Sequence, residues 1–428
     1  MFNKKFLITS FCCFFLVSAN AKELSLDELI DIALNNNTNI QITKNQKDVS
    51  EQKLRQAKAL YLPQVTSVAN TGEYDIKQNG IKQDGTVNSV TLSANQLIYD
   101  FGKTTSAIKA SSYNVEASSN DVTSTVQEIV LAVKKAYFEI LNKYQQIIVA
   151  KEAVKLDELQ LSQAEEYFKA GIRTQIDITN AQLQLSNSNL KLIQAQYDLK
   201  RAKTNLISIL GKNISEDLSV QVDKGNINSL AKNATLNYQD TNNLIGIALK
   251  NRAEIKKYDS LINANKQNLK NANYQYLPTI DVSASYNEQD SDDITSLDSN
   301  QTAVLLNLKW DIFTGFSRDA NRKIALSNLS SSYKQKEQQE LAIIEAVTNA
   351  HLNTKQSFET IKISLLSLDL ATRNLDLAQQ RYKAGLNDLL ELNDAKLEYT
   401  QAKSNLVNTY YAHLVNSANL EYSLGIIK

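Results

Sequence analysis

The sequence predicts a mainly α-helical protein with a smaller β portion, the whole plan laid down twice. Three observations carry that prediction. Tyr167-Phe168-Lys169-Ala170-Gly171 recurs in kind as Arg381-Tyr382-Lys383-Ala384-Gly385, with Gly171 and Gly385 214 positions apart. The same offset carries Ala164 onto Ala378, Ala181 onto Ala395, Leu210 onto Leu424 and Gly211 onto Gly425, so the chain is an internal duplication. The 428 residues hold only two prolines and eleven glycines, punctuation too sparse for anything but very long helices. The two prolines, Pro63 and Pro278, occupy matched sites, and after each the apolar pattern changes from helical to alternating.

The N-terminus reads as a targeting segment. Lys4 and Lys5, the apolar run from Phe6 to Val17 and the small-residue site Ala19-Asn20-Ala21 have the layout of a cleavable secretory signal over residues 1–21. Cys12 and Cys13 lie inside it, which predicts a mature chain without thiols, disulfides or Cys-based metal sites. Removing Lys4 and Lys5 from the 46 basic residues leaves 44 against 46 acidic, a net of about −2 that gives no support to nucleic-acid binding. No later stretch approaches the roughly 18 consecutive apolar residues of a spanning helix, so a membrane crossing would have to be made by strands.

Leu24-Ser25-Leu26-Asp27-Glu28-Leu29 begins a helix, with Ser25 and Glu28 as a capping box and Leu24 and Leu29 as a hydrophobic staple. One helix is predicted from there to about Leu60, ended by Pro63, and a matching one from Leu244 to Tyr276, ended by Pro278. Ile280, Val282, Ala284 and Tyr286 then alternate with Asp281, Ser283, Ser285 and Asn287, a strand with one apolar face. Val90, Leu92 and Ala94 do the same, as do Val304, Leu306, Leu308, Trp310 and Ile312; residues 65–76 are a strand by position. Four strands result. The polar stretches Lys77 to Asn88 and Glu288 to Asn300 read as exposed hairpin loops.

Strands near ten residues suit a tilted membrane-spanning strand, and Tyr74, Tyr99, Tyr286, Trp310 and Phe313 fall where an aromatic belt would sit. A soluble hairpin with one buried face fits the strands equally well. Four strands cannot close a barrel and open edges are not tolerated in lipid, so the membrane reading requires several chains to pool their strands.

From Thr104 to Lys169 there is no Gly or Pro, which at about 1.5 Å per residue gives a helix approaching 100 Å. Val126, Val133, Ile140, Ile147, Val154, Leu161 and Phe168 recur every seven residues, as do Leu185, Leu192, Leu199 and Leu206 beyond Gly171. The second copy, with Ile361, Leu368, Leu375 and Tyr382, keeps the repeat less strictly. Gly171 and Gly385 are then the tips of two helical hairpins. The division is a first repeat over 22–211, an Asn-rich linker over 212–240 and a second repeat over 241–428.

This layout resembles the TolC family of outer-membrane efflux proteins over essentially the whole mature chain. The features that carry the resemblance are the duplicated plan, Tyr61-Leu62-Pro63 and Tyr276-Leu277-Pro278 entering the strands, and the exits Ile98 to Gly102 and Ile312 to Phe316. The tips complete it, above all the segment from Tyr382 through Gly385, Glu391 and Asp394 to Ala395. The resemblance implies a homotrimer in the cell outer membrane, its twelve pooled strands in contact with lipid and continued by an α-helical tube across the periplasm. Its partners would be a periplasmic adaptor and an inner-membrane pump of RND or ABC type; it would conduct drugs or polypeptides passively. It further implies that Tyr382 belongs to a closing network, that Asp177 is an acid this tyrosine engages from the neighbouring hairpin, and that Glu391 and Asp394 ring the aperture. Asn387 stands where the family's best-known member has a basic residue; the basic residue that follows a tip glycine here is Arg173, in the first copy, which can latch to Asp177, to Asp394 or to nothing. Ala170-Gly171-Ile172 and Ala384-Gly385-Leu386 resemble the tips on which adaptors dock.

A plainer reading stands beside each of these. Glu391 and Asp394 share a helical face, but Asp388 and Glu391 also fit a capping box and acids suit a first helical turn. His351 and His413, the only histidines, sit alone on helical patterns and read as structural. No nucleophilic triad, phosphate loop, metal cluster or cofactor site can be assembled, which points away from an enzyme. A surface-anchored trimeric coiled-coil adhesive protein is the second functional reading and a soluble periplasmic adaptor the third. A stalk has no reason to return to its start twice, and an adaptor leaves the aromatic-flanked strands unexplained.

Overall fold

The computed structural model describes residues 23–78, 81–211, 219–222, 225–235, 240–292, 298–386 and 388–427. The targeting segment with Cys12 and Cys13, much of the linker, Gly80 and Asn387 lie outside the described residues. Each copy runs as two short helices, two strands and a long helical hairpin. The first has α1 (Leu26–Asn36), α2 (Thr38–Ala59), β1 (Gln64–Gln78), β2 (Ile81–Tyr99), α3 (Lys103–Lys169) and α4 (Gln175–Leu210). After α5 (Ile227–Lys232) the second has α6 (Thr241–Asn251), α7 (Ala253–Tyr274), β3 (Thr279–Ser291), β4 (Ser299–Lys309), α8 (Ser317–Lys383) and α9 (Leu389–Ser423).

The capping box forms as predicted: Ser25 accepts from the Glu28 amide and the Glu28 carboxylate accepts from the Ser25 amide. The single helices expected over 24–60 and 244–276 are each broken in two, however. Asn37 leaves the helical region at φ −64° and ψ 127°, accepts from the amides of Asn39 and Ile40, and donates to the Ile209 carbonyl at 2.6 Å. Arg252 breaks the second copy in the same way, and its guanidinium donates to Glu254 and to the Tyr422 carbonyl. Both breaks receive the end of the same copy's hairpin, where Gly211 and Gly425 turn with positive φ. A Cβ on Gly211 would stand 2.6 Å from the Asn36 carbonyl oxygen. Gly211→Ala is therefore expected to lower the unfolding temperature and the yield of folded protein, by about 1–3 kcal/mol for the backbone alone. Gly246→Ala, within α6 and facing open space, should be neutral or stabilising by up to about 1 kcal/mol.

The strands form one antiparallel sheet in the order β1-β2-β3-β4. The loop expected over 77–88 is a correction: β1 runs to Gln78 and β2 starts at Ile81, with Tyr74 opposite Gly85 and Lys77 opposite Lys82. Paired backbone groups satisfy one another whatever the side chains, so a polar sequence surrounded by water continues the ladder. The loop expected over 288–300 shortens likewise, with β3 reaching Ser291 and β4 starting at Ser299. In the other direction β4 stops at Lys309, leaving Trp310 and Ile312 beyond the strand. Because Val87 is the last β2 partner of β3, opposite Ser291, the first hairpin projects past the second.

The helices form a layer that continues the sheet. Near the strands the contacts run α2 to α3 to α7 to α8, and towards the tips α4 to α3 to α9 to α8. The order repeats that of the strands, so β1, α2 and α4 make one flank and β4 and α8 the other. Among the described residues no helix is long and apolar enough to cross a membrane.

Candidate functional site at the hairpin tips

Both tips are built by the same turn. At the first, the Gly171 amide donates to the Phe168 carbonyl and the Ile172 amide to Tyr167, each at 2.9 Å; at the second, Gly385 donates to Tyr382 at 3.1 Å and Leu386 to Arg381 at 2.9 Å. This pair of bonds needs a residue at positive φ, and Gly171 and Gly385 supply it at 72° and 71°. A Cβ at either glycine would meet nothing within 4 Å, and Ile172 and Leu386 beside them are 66% and 71% exposed. Ala170 and Ala384 cap the preceding helices. The tips thus offer a small, apolar, open surface.

The structure brings Arg173 and Tyr382 together across the two hairpins, with the guanidinium carbon 5.2 Å from the ring centroid. Tyr167 packs on the same ring, tilted, at 6.0 Å. The Tyr382 side chain is buried and its hydroxyl meets no hydrogen-bond partner among the described residues. Burial pushes that phenol up; Arg173 opposes the shift, while Asp177 and Tyr167 add to it. The Asp177 carboxylate is occupied locally, accepting from the Thr174 amide and hydroxyl at 2.9 Å each. Asp388 caps α9 by accepting from the Glu391 amide at 3.0 Å, and the Glu391 carboxylate lies 3.8 Å from Arg381 Nε. Asp394 is exposed.

One group near the tips carried no signal in the sequence. Lys396 on α9 is buried against Asp157 and Gln160 of α3 and hydrogen-bonds both. Ser188 of α4 donates to the other Asp157 oxygen, and Gln160 donates to Asn393 at 2.8 Å. Burial pushes the Lys396 ammonium down and Asp157 pulls it back up. Partners 239 positions apart leave no local pattern to read. The histidines are buried and paired: His351 Nδ1 lies 2.8 Å from Thr241 Oγ1, and His413 Nδ1 lies 3.1 Å from Ser357 Oγ.

At the other end, one face of the sheet carries mostly polar pairs, with Val68 and Leu305 among them, and the other carries a row of apolar residues. Asn307 donates to Asp281 and Ser283, and Thr91 donates to Asn287. Val304, Leu306 and Leu308 are exposed, and among the described elements no helix packs across them. Tyr99 ends β2, and Trp310 and Phe313 follow β4, all exposed at the sheet's helical end. Tyr286 lies within β3 between Leu92 and Thr302, and Tyr74 lies on the projecting part of the first hairpin.

An open sheet with an exposed apolar row, continued by two long helical hairpins that end in open tips, is the architecture of a protein anchored by its strands with a long helical extension. The comparisons agree. The family model described as outer membrane efflux protein matches residues 29–212 and 244–426, and the chain belongs to that family. It is 24% identical over 400 residues to outer membrane protein TolC of Salmonella enteritidis, covering 89% of this chain and 78% of that one. It is 24% identical over 177 residues to the alkaline protease secretion protein AprF of Pseudomonas aeruginosa, covering 41% and 37%. The solved structure of CusC, described in terms of transmembrane channel formation, superposes with a TM-score of 0.81 at 20% identity, covering 94% of this chain and 92% of that one. The chain is an outer-membrane protein of efflux, not the adhesive stalk or soluble adaptor weighed against it.

Proposed function

We propose that three copies of this chain form a passive exit duct, a twelve-stranded barrel continued by a helical tube. The duct receives substrate from a periplasmic adaptor and an inner-membrane pump. The observation that carries the reading is the pair of open flanks. β1 and β4 have unpaired edges, which lipid does not tolerate. On the helices, Leu183, Leu190 and Tyr197 form an exposed apolar stripe on α4, and Ile363, Leu370 and Leu377 form another on α8. Different surfaces on opposite flanks make a head-to-tail contact, which closes into a ring when the rotation allows. Pairing β1 with β4 and α4 with α8 of the next copy would satisfy all four at once. The relative AprF is named for alkaline protease secretion and the family model for efflux, so both polypeptide secretion and efflux fit the duct.

On this reading the chain divides into the signal, the repeats 22–211 and 241–428, and the linker between them. Ala170, Gly171, Ile172, Ala384, Gly385 and Leu386 receive the adaptor. Tyr382, Arg173 and Asp177 belong to the closed mouth, and Glu391 and Asp394 face its bore. Tyr99, Trp310 and Phe313 mark the periplasmic membrane interface. The test is the mass of the detergent-extracted particle from outer membranes, corrected for detergent, followed by single-channel conductance. A mass near three chains, each slightly below the 47.8 kDa of the full sequence, with stable conductance is expected. A monomer without conductance would refute the pooled barrel.

A further inference from the structure

The two copies pack together inside the chain where α3 meets α7. At the sheet end of that seam Gly102, the residue before α3, faces Tyr274, the last residue of α7: a Cβ on Gly102 would lie 3.1 Å from the Tyr274 ring. α8 repeats α3 at an offset of 214 and α7 repeats α2 at an offset of 215, with equal lengths in each pair. The counterparts of Gly102 and Tyr274 are therefore Phe316, before α8, and Ala59, the last residue of α2. They lie on opposite flanks of the chain, and the large and small residues have changed sides.

Phe316 holds a φ of 66°, where a side chain is strained and glycine is the usual occupant. It is 76% exposed, with its ring packed on Phe313 at 5.6 Å. Phe101, the other non-glycine residue at positive φ among the described residues, is half-buried against Tyr99. On the opposite flank Ala59 and Gln56 line a groove on α2 to which, among the described residues, no other element contributes. Gln56 is the counterpart of Asn271, whose amide donates to the Lys103 carbonyl at 2.7 Å, next to the Gly102–Tyr274 contact. The groove thus keeps the amide and lacks the ring.

We propose that Phe316 of one copy seats over Ala59 of the next and fixes the register of the interface between copies. The inference rests on the duct reading. Edge strands alone set register weakly, because a two-residue slip of β1 along β4 keeps the same faces outward and re-forms the ladder. Inside the chain Lys103 helps hold the seam by donating to the Leu277 and Pro278 carbonyls, but its counterpart Ser317 has no such reach. The outer seam is left to shape. A ring standing out before α8 fits beside a residue that has none, which gives strands and helices one common register. Phe316 against a tyrosine like Tyr274 would clash, and Gly102 against an alanine would leave a void.

The test is the temperature at which the detergent-extracted trimer of the full chain falls to monomers. Phe316→Asn keeps a residue that tolerates positive φ and removes the ring; its midpoint is expected to fall by about 5 °C or more. Ala59→Tyr fills the hollow and is expected to prevent stable trimers. The double variant Ala59→Tyr with Phe316→Gly rebuilds between copies the pair found within the chain, and is expected to recover most of the native midpoint. A native midpoint in Phe316→Asn, or a double variant no more stable than Ala59→Tyr alone, overturns the proposal. If Ala59→Tyr yields no folded protein, Phe316→Asn decides alone. A native protein that extracts as a monomer would remove the duct reading, and this contact with it.

Discussion

Gly385→Trp is expected to abolish export while leaving folding, assembly and outer-membrane location intact. The glycine sits at φ 71° in the turn that joins α8 to α9, and an added Cβ meets nothing within 4 Å. An indole there projects from the tip into the space an adaptor has to occupy, next to the exposed Leu386. Part of the cost is backbone strain, since a side chain at positive φ costs roughly 1–2 kcal/mol. Gly385→Ala separates the two effects because it carries the strain without the bulk. Export should survive in the alanine variant and fail in the tryptophan variant, with equal amounts of assembled protein in both. Unimpaired export by assembled Gly385→Trp would show that nothing docks on this tip.

The sequence discloses the plan of this molecule because the plan rests on local chemistry. Gly171, Gly385, Pro63 and Pro278 act through their own backbone limits, and the alternating strand residues act through a two-residue period. The breaks at Asn37 and Arg252 were not legible. Asn37 can cap a helix locally, as it does for α2, but in an Asn-rich helical pattern that signal does not stand out, and its side chain is further held by the Ile209 carbonyl, far along the chain. The polar runs at 77–88 and 288–300 read as turns, but backbone pairing extends the strands through part of each, since a paired strand can be polar on both faces. At the tips the candidates Arg173 and Tyr382 were readable one at a time, but their meeting across two hairpins was not. Lys396 and Asp157 were invisible for the same reason: on a helix rich in Gln, Asn and Lys, a buried lysine looks like its solvated neighbours.

Asp394→Ala is expected to weaken block by multivalent cations, applied from the periplasmic side, roughly tenfold or more. The argument turns on which of the two acids helix capping accounts for. Glu391 is the third residue of α9, within the turn where the helix dipole favours an acid, and its amide is held by Asp388. Asp394 is the sixth residue, past the reach of that dipole, and it is exposed. Glu391 also has Arg381 at 3.8 Å to offset its charge. Three copies around one axis would bring three Asp394 carboxylates to the bore, and their field on a trivalent ion sums. The cost of losing them then falls mainly on ions of high charge, with monovalent conductance changing little. Asp394→Asn keeps the size and removes the charge, so it should match Asp394→Ala in block. Block that is native in both variants would place Asp394 on the outer surface of the tube, and Glu391 would remain as the helix-start acid its position already explains.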